Sequence, residues 1–150
     1  MDKISSRTSE ISTETDPEQA NKIFSAFICD LTQDTPHLLS DGIYCKRCAL
    51  GLQEYFTART PHLQSELGKV EKKHLEAQDL LHSGGGVYHH HYVLIVKISG
   101  EEYVFDPYLY PQDPKAIKKE TYIDQAYQNP NDVVWGVPQY PTERFTKRRK

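Results

Sequence analysis

The chain has 150 residues, of which 37% are hydrophobic and 26% charged, with a formal net charge of -3 and a mean hydropathy of -0.68. That is one domain's worth of chain with a single modest core, and the slightly acidic balance gives no global electrostatic case for binding nucleic acid. No stretch approaches a membrane span, no apolar segment follows the start as a secretory signal would, and three cysteines are too few for a disulfide framework.

Residues 1–15 are Ser/Thr-rich with almost nothing apolar to bury, and are expected to be disordered. Thr15-Asp16-Pro17-Glu18 carries a helix start: a capping residue, Pro at the first helical position and an acid near the positive end. Ala20, Ile23, Phe24, Phe27, Ile28 and Leu31 then recur at helical spacing, which predicts a first helix over 17–31. Cys29 falls among these positions and is expected to be a small buried thiol. Asp34-Thr35-Pro36 and Ser40-Asp41-Gly42 punctuate a loop. From Cys45, the residues Ala49, Leu52, Tyr55 and Phe56 mark a second, central amphipathic helix. Leu63, Leu67, Val70, Ala77 and Leu81 also fall at helical spacing and predict a helix over 63–81, with an edge strand near 69–75 as the alternative.

Gly84-Gly85-Gly86 reads as a flexible break. The continuous apolar run Val93-Leu94-Ile95-Val96 predicts a strand covered on both faces. Ser99-Gly100 begins a short hairpin connection to Tyr103-Val104-Phe105-Asp106, and Pro107 ends that second strand because it has no N–H to donate. A short helix over 121–127, a strand near 133–135 and a Pro-rich end complete the domain, which is expected to span 16–145. The last residues, 146–150, form a basic tail read as solvated. The predicted fold class is α+β, with helices packed on an antiparallel sheet.

A cysteine at a helix N-terminus, a histidine on a strand and an aspartate at the end of the next strand, in that chain order, suggest thiol catalysis. Cys45 opens the central helix, where the helix's positive end favours a thiolate; Cys48, one turn later, is the second candidate nucleophile. Of His89, His90 and His91, the last is nearest the buried strand and is the candidate base, and Asp106 would orient its ring. Tyr88, Tyr92 and Tyr108 are the candidate substrate contacts. Zinc is the less favoured reading of the two cysteines: the histidine run would have to supply the remaining ligands, yet neighbouring residues on a strand point to alternate faces, so no metal site is assigned. The remaining alternative is a non-catalytic interaction domain whose binding face is formed by Tyr88, Tyr92, Tyr103, Tyr108 and Tyr110.

These residues resemble the bacterial protein-glutaminases, a family within the papain-like and transglutaminase-like cysteine enzymes. The likeness rests on Asp41-Gly42 ahead of Cys45 with Ala49 four residues on, on Tyr88 through Val96, and on Asp106-Pro107-Tyr108-Leu109-Tyr110. Weaker likeness continues through 121–127 and 133–141. Ile43-Tyr44 separates Gly42 from Cys45, whereas the family has the cysteine directly after the glycine, so Cys48 stays a candidate.

The resemblance implies a papain-like core and a cofactor-free protein-glutamine amidohydrolase acting through Cys45, His91 and Asp106. Its partner would be a protein or peptide substrate bearing glutamine, with room for an inhibitory pro-segment or immunity protein. Transglutaminase and cysteine protease chemistry would use the same triad. Family members are secreted and disulfide-bonded, whereas three cysteines suit a reducing compartment. A cytoplasmic protein, or an effector or toxin domain delivered to another cell, is therefore expected.

Overall fold

The computed structural model describes residues 16–40, 44–109 and 114–137. The expected disorder of 1–15 and the basic tail at 146–150 lie outside them, as does Asp41-Gly42.

Helix α1 (Pro17–Asp34) starts at Asp16, whose carboxylate accepts the Gln19 N–H at 2.9 Å, satisfying one of the otherwise unpaired donors of the first turn. Its buried stripe is Ala20, Phe24, Phe27 and Ile28. Cys29 is exposed, which corrects the expectation of a buried thiol: one residue beyond Ile28 the helix has turned about 100° away from the core. A single turn, α2 (His37–Ser40), leads to α3 (Cys45–Arg59), which buries Cys45, Cys48, Ala49, Leu52 and Phe56.

Five strands form one antiparallel sheet: β1 (Gln64–Lys72), β4 (His90–Ile98), β5 (Glu101–Phe105), β6 (Ile117–Lys118) and β7 (Val133–Trp135), in the order β6-β5-β4-β1-β7. Strands β2 (Leu80–His82) and β3 (Gly86–Tyr88) form a separate hairpin, and α4 (Lys119–Ala126) follows β6. Ser99 and Gly100 both have positive φ, 53° and 83°, the backbone a two-residue hairpin needs to match the twist of β4 and β5. The glycine run is no loose break. Gly84 and Gly85 lie in the turn of the β2–β3 hairpin, and Gly86 pairs with His82.

Strand β1 replaces the helix expected over 63–81, and it is interior rather than an edge. It pairs with β4 from Gln64↔Lys97 to Glu71↔His90 and with β7 through Val70↔Trp135. Leu67 and Val70 would share a face of a helix; on a strand they point to opposite faces. Each is buried in a different core. Their spacing imitates helical periodicity because both faces of this strand are covered. Gly68 keeps the strand close to its neighbours, since a Cβ there would come within 2.6 Å of Ile95 Cδ1 and 3.0 Å of the Trp135 ring.

The sheet separates two cores. On one side Tyr92, Leu94 and Val96 of β4 pack with Phe24 and Phe27 of α1 and Leu52 and Phe56 of α3. Phe105 meets Phe24 edge-to-face at a centroid distance of 5.2 Å and Phe56 in a tilted contact at 4.9 Å. On the other side Val93, Ile95 and Val104 pack with Leu80 of the hairpin and Tyr122 and Ala126 of α4. The architecture is therefore α+β, an antiparallel sheet covered on both faces, and it places the head of α3 beside the first residues of β4.

Candidate active site

The second core contains a buried carboxylate. Phe105 pairs with Leu94 and faces the first core, so the following residue, Asp106, turns to the opposite face, where His91 also points. Four donors converge on it. Asp106 Oδ1 accepts from His91 Nε2 at 3.1 Å and from the Tyr108 N–H at 3.0 Å. Asp106 Oδ2 accepts from His82 Nε2 at 2.7 Å and from the Tyr122 hydroxyl at 2.6 Å. Burial alone would raise the affinity of this carboxyl for a proton, but His91 and His82 more than offset it and hold Asp106 well below its ordinary range.

His91 is wholly buried. Burial would by itself disfavour the imidazolium; the Asp106 carboxylate, its hydrogen bond and the Cys45 thiol outweigh that and push the ring's pKa up to about 10. With Nε2 committed to Asp106, the remaining nitrogen, Nδ1, makes no hydrogen bond among the described residues. Cys45 acts on the ring from close range without completing that bond, the loose contact expected of an unliganded thiol–imidazole pair. Around the ring, Tyr88 stacks at 4.6 Å and 26°, while Tyr108 and His82 approach at 5.7 and 4.9 Å. The imidazole can tilt very little.

Cys45 is the first residue of α3. Tyr44 ahead of it supplies no side-chain cap, so the positive end of the helix bears on the thiol. Its Sγ accepts the Tyr92 N–H at 3.4 Å. Cys45 keeps 6% of its surface open, whereas His91 has none. Cys48 is placed differently. Its Sγ lies 3.2 Å from the Tyr108 hydroxyl and 3.6 Å from the Leu38 carbonyl. Because Tyr108 donates to that same carbonyl, Cys48 can only be the donor, a thiol rather than a thiolate. Burial, foremost, pushes its pKa up.

The three tandem histidines part company. His89 is exposed and lies 3.0 Å from Asp79. His90 sits against the edge of the Tyr92 ring, and burial followed by Lys69 lowers its affinity for a proton. Only His91 enters the core. Of the tyrosines singled out in the sequence, Tyr88 and Tyr92 border His91 and Cys45, and Lys46 stands 4.9 Å over the Tyr92 ring. Tyr108 braces the site from behind, its ring buried and its hydroxyl given to Leu38.

His82 and Tyr122 are the site residues that sequence reasoning missed. His82 lies on a three-residue strand where the sequence predicts the end of a helix, Tyr122 lies on the expected short helix, and nothing at either position distinguishes a partner of Asp106 from an ordinary buried polar residue. His82, His91 and Asp106 also offer metal-ligating atoms within 4.8 Å of one another. A cation would have to displace N–H···O bonds that already satisfy this cluster, so the donor set is a poor fit for one. The open cavity of ≈ 560 Å³ lined by Glu101, Lys118, Lys119 and Trp135 among others shares no residue with the cluster. The geometry brings Cys45, His91 and Asp106 together and leaves Cys48 outside. Neither a family model, nor a curated protein, nor a solved structure matches this chain.

Proposed function

We propose that the protein is a cysteine-dependent amidohydrolase that converts glutamine side chains of proteins to glutamate. The observation that carries this reading is the His91 ring, anchored through Nε2 to Asp106 with its orphan Nδ1 left for Cys45. A thiol at a helix head, a strand-borne imidazole and a carboxylate from the adjacent strand make up the triad of papain-like and transglutaminase-like enzymes. The likeness of 41–49, 88–96 and 106–110 to protein-glutaminases favours a side-chain amide as acyl donor.

The imidazolium favoured at His91 stabilises a thiolate at Cys45. The thiolate attacks the side-chain amide carbon of glutamine, and the Cys45 backbone N–H is the first donor to the resulting oxyanion. Collapse expels the amide nitrogen, which takes the proton from His91 and leaves as ammonia. The sulfur, now in a thioester, no longer contributes the charge that helped hold the proton on His91. The neutral imidazole then accepts a proton from water, whose oxygen attacks the thioester. Collapse of that second intermediate returns the thiolate and gives glutamate, and no cofactor takes part in any step.

Free thiols at all three cysteines suit work in a reducing compartment, either the cytoplasm or a cell receiving the protein as an effector. Among the described residues no helix is long and apolar enough to cross a membrane. The decisive assay measures ammonia and a mass gain at glutamine in a protein substrate with no added amine. Release by the wild type but not by Cys45→Ala supports deamidation. Cross-linked product would instead establish a transglutaminase and peptide cleavage a protease. No product together with an unreactive Cys45 would leave a binding domain.

A further inference from the structure

We propose that His82 is a positioning residue which locks Asp106 so that Oδ1 is reserved for His91. The kinetic part of this inference rests on the proposed thiol chemistry; the structural part does not.

Both nitrogens of His82 are assigned by their neighbours. Nδ1 accepts the Gly84 N–H at 3.1 Å, so Nε2 carries the ring proton and donates it to Asp106 Oδ2 at 2.7 Å. The ring cannot exchange these roles. The other tautomer would set an Nδ1–H against the Gly84 N–H and leave the carboxylate oxygen facing the Nε2 lone pair. The turn that fixes the ring is itself fixed: a Cβ at Gly84 would collide with the Tyr108 carbonyl oxygen and come within 2.9 Å of His82 Nδ1. A chain of single-valued contacts thus runs from the Gly84 amide through His82 and Asp106 to His91.

The His82 bond is the shorter of the two histidine bonds to Asp106, 2.7 against 3.1 Å. Together with the Tyr122 hydroxyl at 2.6 Å it fills Oδ2, so the carboxylate has no reason to rotate and His91 finds one acceptor in one place. Without the His82 proton, Oδ2 would keep a single donor. The carboxylate could then turn, and the Nε2–H of His91 would lose its fixed acceptor. His82 touches neither sulfur nor substrate in this scheme; it acts through Asp106. Removing the outer partner that orients a metal-bound histidine costs about ten- to a hundredfold in activity, and a loss on that scale is expected here.

The test compares His82→Gln with His82→Asn. Both place an amide in the same buried site, but only the longer Gln carries its N–H as far as Nε2 does. With folding checked by thermal unfolding, His82→Gln should retain most of the wild-type kcat and the slowly exchanging, far-downfield Nε2–H proton resonance of His91. His82→Asn should broaden that resonance and lose about tenfold or more in kcat with little change in KM. Equal His91 resonances in the two variants would overturn the proposal.

A measurement on the wild type needs no variant: nitrogen-15 spectra must show His82 as the Nε2–H tautomer, and an Nδ1–H tautomer overturns the proposal. If the resonance contrast holds but no amide substrate is turned over, the proposed function fails and the role of His82 stands. If deamidation is observed and the contrast is missing, the reverse is true.

Discussion

His91 gives Nε2 to Asp106 Oδ1 at 3.1 Å, and its Nδ1 is the buried side-chain nitrogen left without a hydrogen-bond partner among the described residues. An imidazole half satisfied in a dry core is expensive to maintain, because an unpaired buried polar atom forfeits its solvation. A ring kept only for packing would be better replaced by a hydrocarbon. The unpaired nitrogen has a use if a substrate-loaded thiol comes to meet it.

Asp106→Asn separates orientation from charge. An amide is close in shape, but its NH₂ would face one pair of the four donors now aimed at the carboxylate. The substitution also removes the anion that raises the His91 pKa. For a folded variant, kcat for ammonia release should fall on the order of 10⁴-fold, the scale seen when a triad carboxylate is neutralised. A fall of less than tenfold would mean that Asp106 serves the core and not the reaction.

The two cysteines of the first turn of α3 should behave as different chemical species. Cys45, with a donor at its sulfur and His91 beside it, should alkylate with iodoacetamide well above the rate of a free thiol near neutral pH. Cys48, a buried donor to Tyr108, should alkylate only on unfolding. Peptide mapping after brief labelling reads this directly. Cys48→Ala should keep the fast phase and the activity at a stability cost of about 1 kcal/mol for the atoms removed, whereas Cys45→Ala should abolish both.

The periodic signals in the sequence were reliable where one face decides. The stripe of α1, the hairpin at Ser99-Gly100 and the head of α3 are local features, and each sits as its residues imply. Strand β1 was misread because Leu67 and Val70 serve two different cores, and three-residue spacing has the same appearance for a helix as for a strand covered on both sides. Chain order brought out a cysteine, a histidine and Asp106; strand position singled out His91, and the helix head ranked Cys45 ahead of Cys48. His82 was not legible, because its place beside Asp106 comes from a two-stranded hairpin folding across the sheet, a contact over 24 residues that no local pattern records. The choice between Cys45 and Cys48 likewise depended on Tyr108 and Leu38, remote residues that occupy one sulfur and leave the other.

Stability should peak on the acid side of neutrality. Asp106, depressed from an ordinary 3.8, contributes stability that is fully present above that value and lost as pH falls through its native pKa. His91, raised from 6.5 to about 10, contributes stability that is fully present below 6.5 and lost as pH rises through about 10. The Tm contribution of this pair should therefore be greatest between about 4 and 6.5 and decline toward 10. In Cys45→Ala, which removes a group that raises His91, the alkaline decline should still begin near 6.5 but end at a lower pH and be smaller. Calorimetry across this range checks both, and a flat profile above 6.5 would contradict the assigned His91–Asp106 pair.

Gly84→Ala should damage fold and site together. The added Cβ meets the Tyr108 carbonyl and the His82 ring, and backbone cannot yield as a flexible side chain can. Overpacking of this kind costs about 1–3 kcal/mol, and the shift should also break the Gly84 N–H bond that sets the His82 tautomer. Urea titration should show the loss, and His91 resonances in the folded fraction should broaden. A variant as stable as the wild type would show that the turn has room which the close approach at Gly84 denies.

Tyr122→Phe isolates one donor of the carboxylate with the least disturbance of packing. The ring stays between Tyr127 and Trp135, at centroid distances of 5.7 and 5.6 Å, and only the hydroxyl at 2.6 Å from Asp106 Oδ2 is lost. A hydrogen bond to a buried anion contributes about 1.5–3 kcal/mol, and the Tyr127 hydroxyl, 3.2 Å from that of Tyr122, loses a partner as well. The stability loss should fall in that range by urea denaturation. Activity should fall less than in His82→Asn, because the His82 proton still holds Oδ2 and Oδ1 still faces His91. If Tyr122→Phe lost more activity than His82→Asn, the hydroxyl and not the second imidazole would be the group that sets the carboxylate.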